Sequence, residues 1–416
     1  MSSRKRRGAV ALAVAAVLAA SGCSSKAQDA GAGSAGAGQV KSGTGVQGQT
    51  IRLGVLTDLS GVFAAIATDL SNGEKLYWEQ RNAEGGVCGK YKVELDVQDT
   101  NYNVQNSVQL YSGMKSDVLA MQQTAGSPSN TALLDQYKAD QMVNFPFAFA
   151  RNLAVWEGNA IPGATYDVEM VNGYDYMLQQ GLVKDGDTVG HIYFEGEYGA
   201  NGLAGSTYMA KKHGLKLVES KIKSTDVDMT AQVVQFKAAG VKMIVLTTAG
   251  AQTTSVASVA AAQGLDVPIL GSSPVYSPAL LGGGAGPALR KNLYLAAPVS
   301  SFDKHPELLT AYSAKFPGSE PSINAILGYG SADAMRQILD KACAQGDLTR
   351  PGLLTAKTSL TAVKTAGLLA TLDFSKAGDS PSRETFILRP ADGPGGLKVE
   401  KEAFEGADTK DFRPGS

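Results

Sequence analysis

The chain has 416 residues, of which 44% are hydrophobic and 19% are charged, and its formal net charge is −1. This length is enough for two sizeable hydrophobic cores, so two or three domains are expected. The near-neutral charge offers no basic or acidic bias that would point to nucleic acid or to an acidic surface, and no nucleic-acid partner is predicted.

The N-terminal segment predicts export and anchoring. Residues 4–7 are all basic, residues 9–20 are apolar but too short for a stable membrane anchor, and small residues precede Cys23. This pattern resembles a bacterial lipoprotein signal, which implies that residues 1–22 are removed and that Cys23 is lipidated. An ordinary secretory signal is the alternative. Residues 23–49, rich in Gly, Ala and Ser, predict a tether, so we expect a lipid-anchored protein on the extracytoplasmic face of the cell membrane.

From Thr50 onward the chain alternates predicted strands and helices. Residues 51–56 form an apolar run short enough for a buried parallel strand, and an amphipathic helix follows the turn at Ser60 and Gly61. Later strands are predicted at residues 91–99, 118–122 and 142–149, with helices at 103–115 and 132–139. Such alternation is typical of a parallel sheet with helices on both faces.

A second strand–loop–helix unit begins at Thr188 and closes at Gly214, after a predicted helix at residues 168–180. Strands are then predicted at residues 216–222, 243–247, 267–271 and 293–298, with helices at 229–239 and 253–263 between them. Helices at 306–316, 322–344 and 353–360, strands at 371–374 and 385–389, and a loosely packed polar end from residue 400 complete the prediction.

The repeat of this unit predicts an α/β fold with two lobes. Lobe 1 is assigned residues 50–155 and 298–380, and lobe 2 residues 156–297 and 381–416, so the chain would cross between lobes three times. Ligands bind at the carboxyl ends of parallel strands in open α/β sheets, and two lobes would point these ends at each other. The sequence therefore predicts a ligand-binding cleft.

Export places the two remaining cysteines, Cys88 and Cys343, in an oxidising compartment. Both lie in polar, turn-like surroundings that suit a bridge better than a buried thiol. We predict a disulfide between them; two unpaired cysteines that lie too far apart to bond are the alternative.

Catalytic signals are weak. The three histidines, His191, His213 and His305, neighbour no recognisable nucleophile, and no Cys, His and carboxylate set has metal-ligand spacing. The glycine run at residues 282–286 matches neither phosphate-binding loop pattern. We therefore expect no enzymatic activity, no cofactor and no metal.

Loops at the predicted strand ends are rich in hydroxyls, glycines and aromatic rings, which suit small-molecule binding. A helix N-terminus in the second of these loops could receive an anion. Helix capping is the alternative role for each Ser or Asn, and surface packing for the tyrosine. The candidates are Ser60, Gly61, Phe63, Gly126, Ser127, Ser129, Asn130 and Tyr198.

Six stretches occur in the order and approximate spacing of the type I periplasmic binding proteins: LGVLTDLSG, EQRNAEGGVCG, the YG of FEGEYGANGLAG, DVDMTAQVVQFKAAG, AAQGLDVPILGSS and ILGYGSADAM. The chain resembles the subgroup that binds branched-chain amino acids (Leu/Ile/Val) and amides, over roughly residues 50–392. This resemblance implies two Rossmann-like lobes with parallel central sheets joined by three hinge crossings. It also implies a substrate-binding lipoprotein that closes on a small solute and delivers it to ABC permease subunits, and we expect a monomer.

The resemblance assigns roles to several residues. The loop at 127–130 corresponds to the serine-rich loop that binds a ligand carboxylate, and Tyr198 and Tyr329 correspond to family tyrosines. Three family features are replaced: the acid that meets the ligand ammonium by Ser273, the small head-group residues by Phe147-Ala148-Phe149, and a loop aromatic near Gly250. Thr248 and Tyr276 complete the predicted site.

These replacements leave two hypotheses for the ligand. A buried ammonium without a carboxylate partner is costly, which favours a less cationic, apolar or aromatic solute. Such a solute could carry a carboxylate for the loop at 127–130 and pack among Phe147, Phe149, Trp156 and Tyr198. Alternatively, the ligand is an amino acid whose ammonium meets Glu195 or Glu197. A sensory receptor of the same fold, without transport, is the alternative function.

Overall fold

Residues 40–413 are described in this computed structural model, and they form an α/β fold with two large β-sheets. The first sheet is centred on the strand at Thr50–Thr57, which pairs in parallel with strands on both sides. In chain order the elements of this part of the chain are β1 (Lys41–Ser42), β2 (Val46–Gln47), β3 (Thr50–Thr57), α1 (Ala64–Ala83), β4 (Lys92–Asp99), α2 (Val104–Met114), β5 (Ala120–Ala125), α3 (Ser127–Ala139) and β6 (Asn144–Phe147). All of these strands belong to the first sheet except β1, which lies in a separate two-stranded sheet.

The second sheet begins after the first crossing of the chain. Its elements are α4 (Tyr166–Gln179), β7 (Thr188–Phe194), α5 (Glu197–His213), β8 (Lys216–Ile222), α6 (Thr230–Ala238), β9 (Met243–Thr247), α7 (Gly250–Ala262), β10 (Ile269–Ser272), α8 (Gly286–Asn292) and β11 (Leu293–Ala297). All five residues of β9 are buried, as expected for an apolar strand covered by helices on both faces.

The rest of the chain returns to both halves. Its elements are α9 (Pro306–Lys315), α10 (Ile323–Ala344), β12 (Asp347–Leu348), α11 (Arg350–Thr358), β13 (Thr385–Pro390), β14 (Leu397–Phe404) and α12 (Ala407–Asp411). Helix α10 packs along α1, and Gly73 and Gly328 lie where the backbone of the facing helix leaves no room for a side chain. We call the part built on the first sheet the first lobe, and the part built on the second sheet the second lobe.

The second sheet has the strand order β14-β13-β11-β10-β9-β7-β8. The pairs from β11 to β8 are parallel, whereas β13 is antiparallel to β11 and to β14. Both lobes therefore have the parallel core that was predicted, and the second carries an antiparallel edge.

Three chain segments join the lobes, and hydrogen bonds tie them to one another. The Thr165 N–H donates to Ser380 Oγ at 2.9 Å, and the Gly378 N–H donates to the Ala154 carbonyl at 2.7 Å. The Ser300 N–H donates to the Leu368 carbonyl at 2.9 Å. The predicted two-lobe α/β fold with three crossings is confirmed, whereas the lobe boundaries given above stay a prediction.

Several sequence-based assignments need correction. Residues 40–49 were assigned to the tether, but β1 pairs with β12 and β2 pairs with β3. The small residues there serve close packing, since the left-handed Gly45 lies against the backbone at Leu119. The predicted strand at 371–374 is only an isolated bridge between Leu372 and Val363. The signal, Cys23 and tether residues up to 39 lie outside the described part of the chain.

The C-terminal stretch is packed, contrary to the prediction. Phe412 is 3% exposed, and the Thr409 hydroxyl donates to Asn172 Oδ1 at 2.6 Å. The Asp408 carboxylate lies 2.7 Å from His213 Nε2. Burial alone would lower the pKa of His213, but its hydrogen bonds with Asp408 and Asp185 outweigh burial, so the pKa is raised. The charged Asp408 is thus paired with another residue of the second lobe instead of being solvated. No helix among residues 40–413 is long and apolar enough to cross a membrane.

The predicted disulfide is present. Cys88 and Cys343 are bonded with their Cα atoms 6.2 Å apart, and the bond closes a loop with a sequence separation of 255 residues. The replacement of both cysteines by serine should lower the free energy of unfolding by about 2–5 kcal/mol, because the unfolded chain regains freedom. Urea denaturation of the oxidised protein and of the double variant measures this loss. An intact mass that shows free thiols at both cysteines of protein prepared without reductant would contradict the bond.

The buried Lys357 of the first lobe donates hydrogen bonds to two of the chain segments that join the lobes. Lys357 Nζ donates to the Glu157 carbonyl at 2.6 Å and to the Phe374 carbonyl at 3.2 Å, and burial lowers the pKa of Lys357 to about 8 from its ordinary value of 10.5. Between these pH values the unfolded chain holds a proton that the folded chain has released. The contribution of Lys357 to the free energy of unfolding should therefore rise as the pH increases from about 8 to 10.5.

Urea unfolding at pH 7 to 10.5 tests this effect by comparison of the wild type with Lys357→Met. The difference in unfolding free energy, wild type minus variant, should grow as the pH rises. The exposed Lys364→Met is the matched control, and its difference from wild type should stay flat. A flat profile for both variants would contradict the assigned pKa.

Candidate functional site

A narrow cavity lies where the two lobes meet, and we call it the inner cavity. Its volume is about 60 Å³. No charged residue lines it. The lining residues are Phe63, Ile66, Ala67, Leu70, Tyr102, Gln123, Ala125, Gly126, Ser127, Phe147, Tyr166, Tyr198 and Pro274.

The first wall is the start of α1, which Asp58 positions. The Asp58 carboxylate accepts hydrogen bonds from the N–H groups of Gly61 at 2.6 Å and Phe63 at 2.9 Å. The Phe63 ring meets the Tyr102 ring edge-on, with centroids 4.9 Å apart. Ile66 and Leu70 then follow at helical spacing along the same face of α1. This wall is apolar because the backbone N–H groups of the loop before α1 are already bonded to the Asp58 carboxylate.

The second wall is the junction of β5 and α3. Gly126 has a φ of +89°, and a Cβ there would lie 2.6 Å from Tyr102 Cε2, so only glycine fits beneath that ring. Ser127 is 2% exposed, and its hydroxyl has no hydrogen-bond partner within residues 40–413. The first N–H groups of α3 also have no acceptor within the helix. This corner can therefore receive an anionic or carbonyl oxygen.

The neighbouring polar groups in that wall are already used. Asn130 Nδ2 donates to the carbonyls of Thr124 at 2.7 Å and Gly126 at 2.9 Å. The Ser129 and Ser107 hydroxyls lie 2.8 Å apart. Ser129 and Asn130 thus hold the β5–α3 turn, and Ser127 offers the hydroxyl.

The second lobe contributes Tyr198 and Pro274, and α4 contributes Tyr166. The Tyr198 hydroxyl lies 2.7 Å from Ser272 Oγ and donates to the Thr248 carbonyl at 3.0 Å. Its ring lies 4.6 Å from the Tyr166 ring. Burial raises the pKa of both phenols, so both stay neutral at physiological pH and present rings to the cavity.

Charge is scarce around the cavity. Burial raises the pKa of Glu169 well above its ordinary range, and its carboxyl oxygens have no partner within the described residues. Glu195 is exposed and Glu197 is half-buried, and neither lines the cavity. The structure therefore places neither of these two proposed ammonium partners in contact with the cavity. Residues 40–413 contain no cluster of His, Cys, Asp or Glu that could hold a metal ion.

The predicted site residues fall into two groups. Five line the inner cavity: Phe63, Gly126, Ser127, Phe147 and Tyr198. The others lie elsewhere or behind its walls: Ser60, Gly61, Ser129, Asn130, Phe149, Trp156, Thr248, Ser273, Tyr276 and Tyr329.

The contacts of four of these explain their distance from the cavity. Ser60 is exposed and donates to Asp99 at 2.7 Å, whereas Phe149 stacks on Tyr166 in the core. Trp156 Nε1 donates to the Met142 carbonyl at 3.2 Å. The Tyr329 hydroxyl donates to Gln80 at 2.7 Å, on the side of α10 that faces α1.

Sequence reasoning missed Tyr102, Tyr166 and the α1 face. Tyr102 follows the predicted strand at 91–99, so its place at a strand end was an available signal. Its left-handed backbone, with a φ of 50°, turns the ring over Gly126. Tyr166 begins α4 directly after the first crossing, a position that sequence periodicity alone does not assign to a site.

The chain matches one protein family and several solved structures over most of its length. Residues 50–394 match the model of the periplasmic binding protein family. A fatty acid ABC transporter substrate-binding protein from Thermomonospora curvata is 36% identical, with a TM-score of 0.86 over 90% of this chain and 97% of that one. No curated protein matches the chain.

Two more distant structures share the fold. A branched chain amino acid ABC transporter from Thermus thermophilus with bound valine is 18% identical, with a TM-score of 0.76 over 88% of this chain and 99% of that one. A putative branched-chain amino acid ABC transporter from Rhodospirillum rubrum is 19% identical, with a TM-score of 0.62 over 84% and 99% of the two chains.

The turn at Gly126 can be tested by substitution. Gly126→Ala should lower the free energy of unfolding by about 3 kcal/mol, because it combines backbone strain with overlap against the Tyr102 ring. Gly181→Ala is the control: Gly181 also has a positive φ, +68°, but nothing lies within 4 Å of its Cβ position, so strain alone should cost about 1 kcal/mol. Equal losses in urea denaturation would contradict close packing at Gly126.

Proposed function

This chain belongs to the periplasmic binding protein family, and we propose that its ligand is an aliphatic carboxylate of the fatty acid class. It is a substrate-binding protein of the ABC transporter type, as the sequence motifs predicted. The family is one of solute-binding proteins rather than enzymes.

One observation carries the proposal: an uncharged, largely apolar cavity in which the buried Ser127 hydroxyl, at a helix N-terminus, has no hydrogen-bond partner within residues 40–413. The helix dipole and free N–H groups favour a carboxylate at that corner. The ammonium of an amino acid would have to enter the same cavity without a carboxylate partner, and that burial is costly. An aliphatic carboxylate satisfies both constraints.

The similarity to the Thermomonospora curvata protein supports the same class of ligand, since that protein is described as a fatty acid ABC transporter substrate-binding protein. The branched chain amino acid relatives are below 20% identity and support the fold only. The hypothesis of an apolar carboxylate is therefore preferred here over an amino acid.

The ligand would stabilise the closed arrangement of the lobes. Ser127 belongs to the first lobe, whereas Tyr198 and Pro274 belong to the second. A solute that touches both walls favours the closed form by its difference in affinity for the closed and open forms. We further propose that lipidated Cys23 keeps the monomeric protein at the extracytoplasmic membrane face, where it delivers the solute to ABC permease subunits.

Calorimetry on protein stripped of bound lipid tests the ligand class. Octanoate should bind, and Ser127→Ala should weaken it about tenfold or more, because a hydrogen bond to a charged oxygen contributes roughly 1.5–3 kcal/mol. Leucine and valine should show no comparable binding.

The matched control is Ser60→Ala. Ser60 is exposed and its hydroxyl is bonded to Asp99, so octanoate affinity should not change. Tight binding of leucine or valine together with no binding of octanoate would overturn the proposed ligand class.

A further inference from the structure

We propose that the hydrocarbon chain of a longer carboxylate leaves the inner cavity between the lobes and occupies a second apolar cavity, which we call the outer cavity. This inference rests on the proposed function, because it assumes a carboxylate held at Ser127. It assigns Leu280 of the second lobe as a residue that determines chain-length preference.

The outer cavity is apolar and formed by both lobes. Its walls include Val62 from the loop before α1, and Tyr276 and Leu280 from the second lobe, and no charged residue lines it. The Tyr276 hydroxyl donates to the Gly396 carbonyl at 3.0 Å, so its polar end is occupied. The surface offered to a ligand is therefore largely hydrocarbon and aromatic.

The two cavities share a wall. Phe63 and Ile66 of the first lobe and Pro274 of the second line both of them. Because this boundary consists of side chains from opposite lobes, it can widen as the lobes separate. A chain anchored at Ser127 can then lie across the boundary before the lobes close on it.

The volumes indicate why a long chain needs the second space. The inner cavity has a volume of about 60 Å³, which is room for roughly four to six water-sized groups. The outer cavity has a volume of about 200 Å³, which is room for roughly 13 to 20 such groups. A carboxylate of six carbons has eight non-hydrogen atoms and already fills the inner cavity up to its mouth, so each further methylene has to lie elsewhere.

The inner end of the cavity gives no comparable route. Gln123 lines that end, and both of its amide atoms are engaged: Nε2 donates to Thr57 Oγ1 at 2.8 Å, and Oε1 accepts from Ser71 Oγ at 3.0 Å. Movement of this side chain would break a buried network. The route past Phe63, Ile66 and Pro274 breaks no hydrogen bond.

A chain-length series tests the inference. In the wild type, affinity should increase by up to about fourfold per methylene from hexanoate to dodecanoate, as apolar surface is buried in the outer cavity. Leu280→Asp should weaken dodecanoate about tenfold or more and leave hexanoate unchanged, because Leu280 does not line the inner cavity. Ala251→Trp, which fills the outer cavity without adding charge, should abolish the increase beyond hexanoate.

Val234→Asp is the matched control, since Val234 is an exposed apolar residue of the second lobe that lines neither cavity. It should leave the whole series unchanged. If hexanoate and octanoate bind but Leu280→Asp and Ala251→Trp spare dodecanoate, or weaken all chain lengths equally, the outer-cavity path is wrong. If no carboxylate binds the wild type, the proposed function itself fails.

Discussion

The left-handed backbone at Gly126 is the constraint on which the site depends. It ends β5 and turns the chain so that α3 begins at the edge of the cavity, with Ser127 in its first turn. The missing side chain also admits the Tyr102 ring, which in turn contacts Phe63 at the start of α1. One residue without a Cβ thus brings three elements of the first lobe to the same corner.

The buried polar side chains of Gln123 and Thr124 in β5 are satisfied within the protein. Gln123 bonds to Thr57 and Ser71, and the Thr124 hydroxyl lies 2.8 Å from the Tyr137 hydroxyl and donates to Asn144 at 2.8 Å. Without these bonds Gln123, the polar residue of β5 that lines the cavity, would present unpaired amide atoms to an apolar space. Ser127, by contrast, offers a buried hydroxyl that has no partner within residues 40–413.

The sequence allowed prediction of the fold where a buried strand or an amphipathic helix has a clear period. The strands at 216–222 and 243–247 have the predicted bounds, and the two cysteines within residues 40–413 are bonded. Prediction was weaker where a long-range contact decides the structure. Strand β6 ends at Phe147, so the two-residue period does not continue to Phe149, which packs on Tyr166. Which face of α1 lines the cavity depends on how the helix is rotated about its axis when it packs, and neither helix propensity nor residue spacing encodes that rotation.

The second sheet has a consequence for how the chain matures. Strand β13 lies between β11 and β14, so the antiparallel edge of the second lobe comes from residues after 384. The first lobe likewise needs α10, which packs along α1 and carries Cys343. Neither lobe is therefore a contiguous piece of polypeptide, and loop closure over such separations is slow. A chain of this design completes neither lobe until these later segments are available to pack.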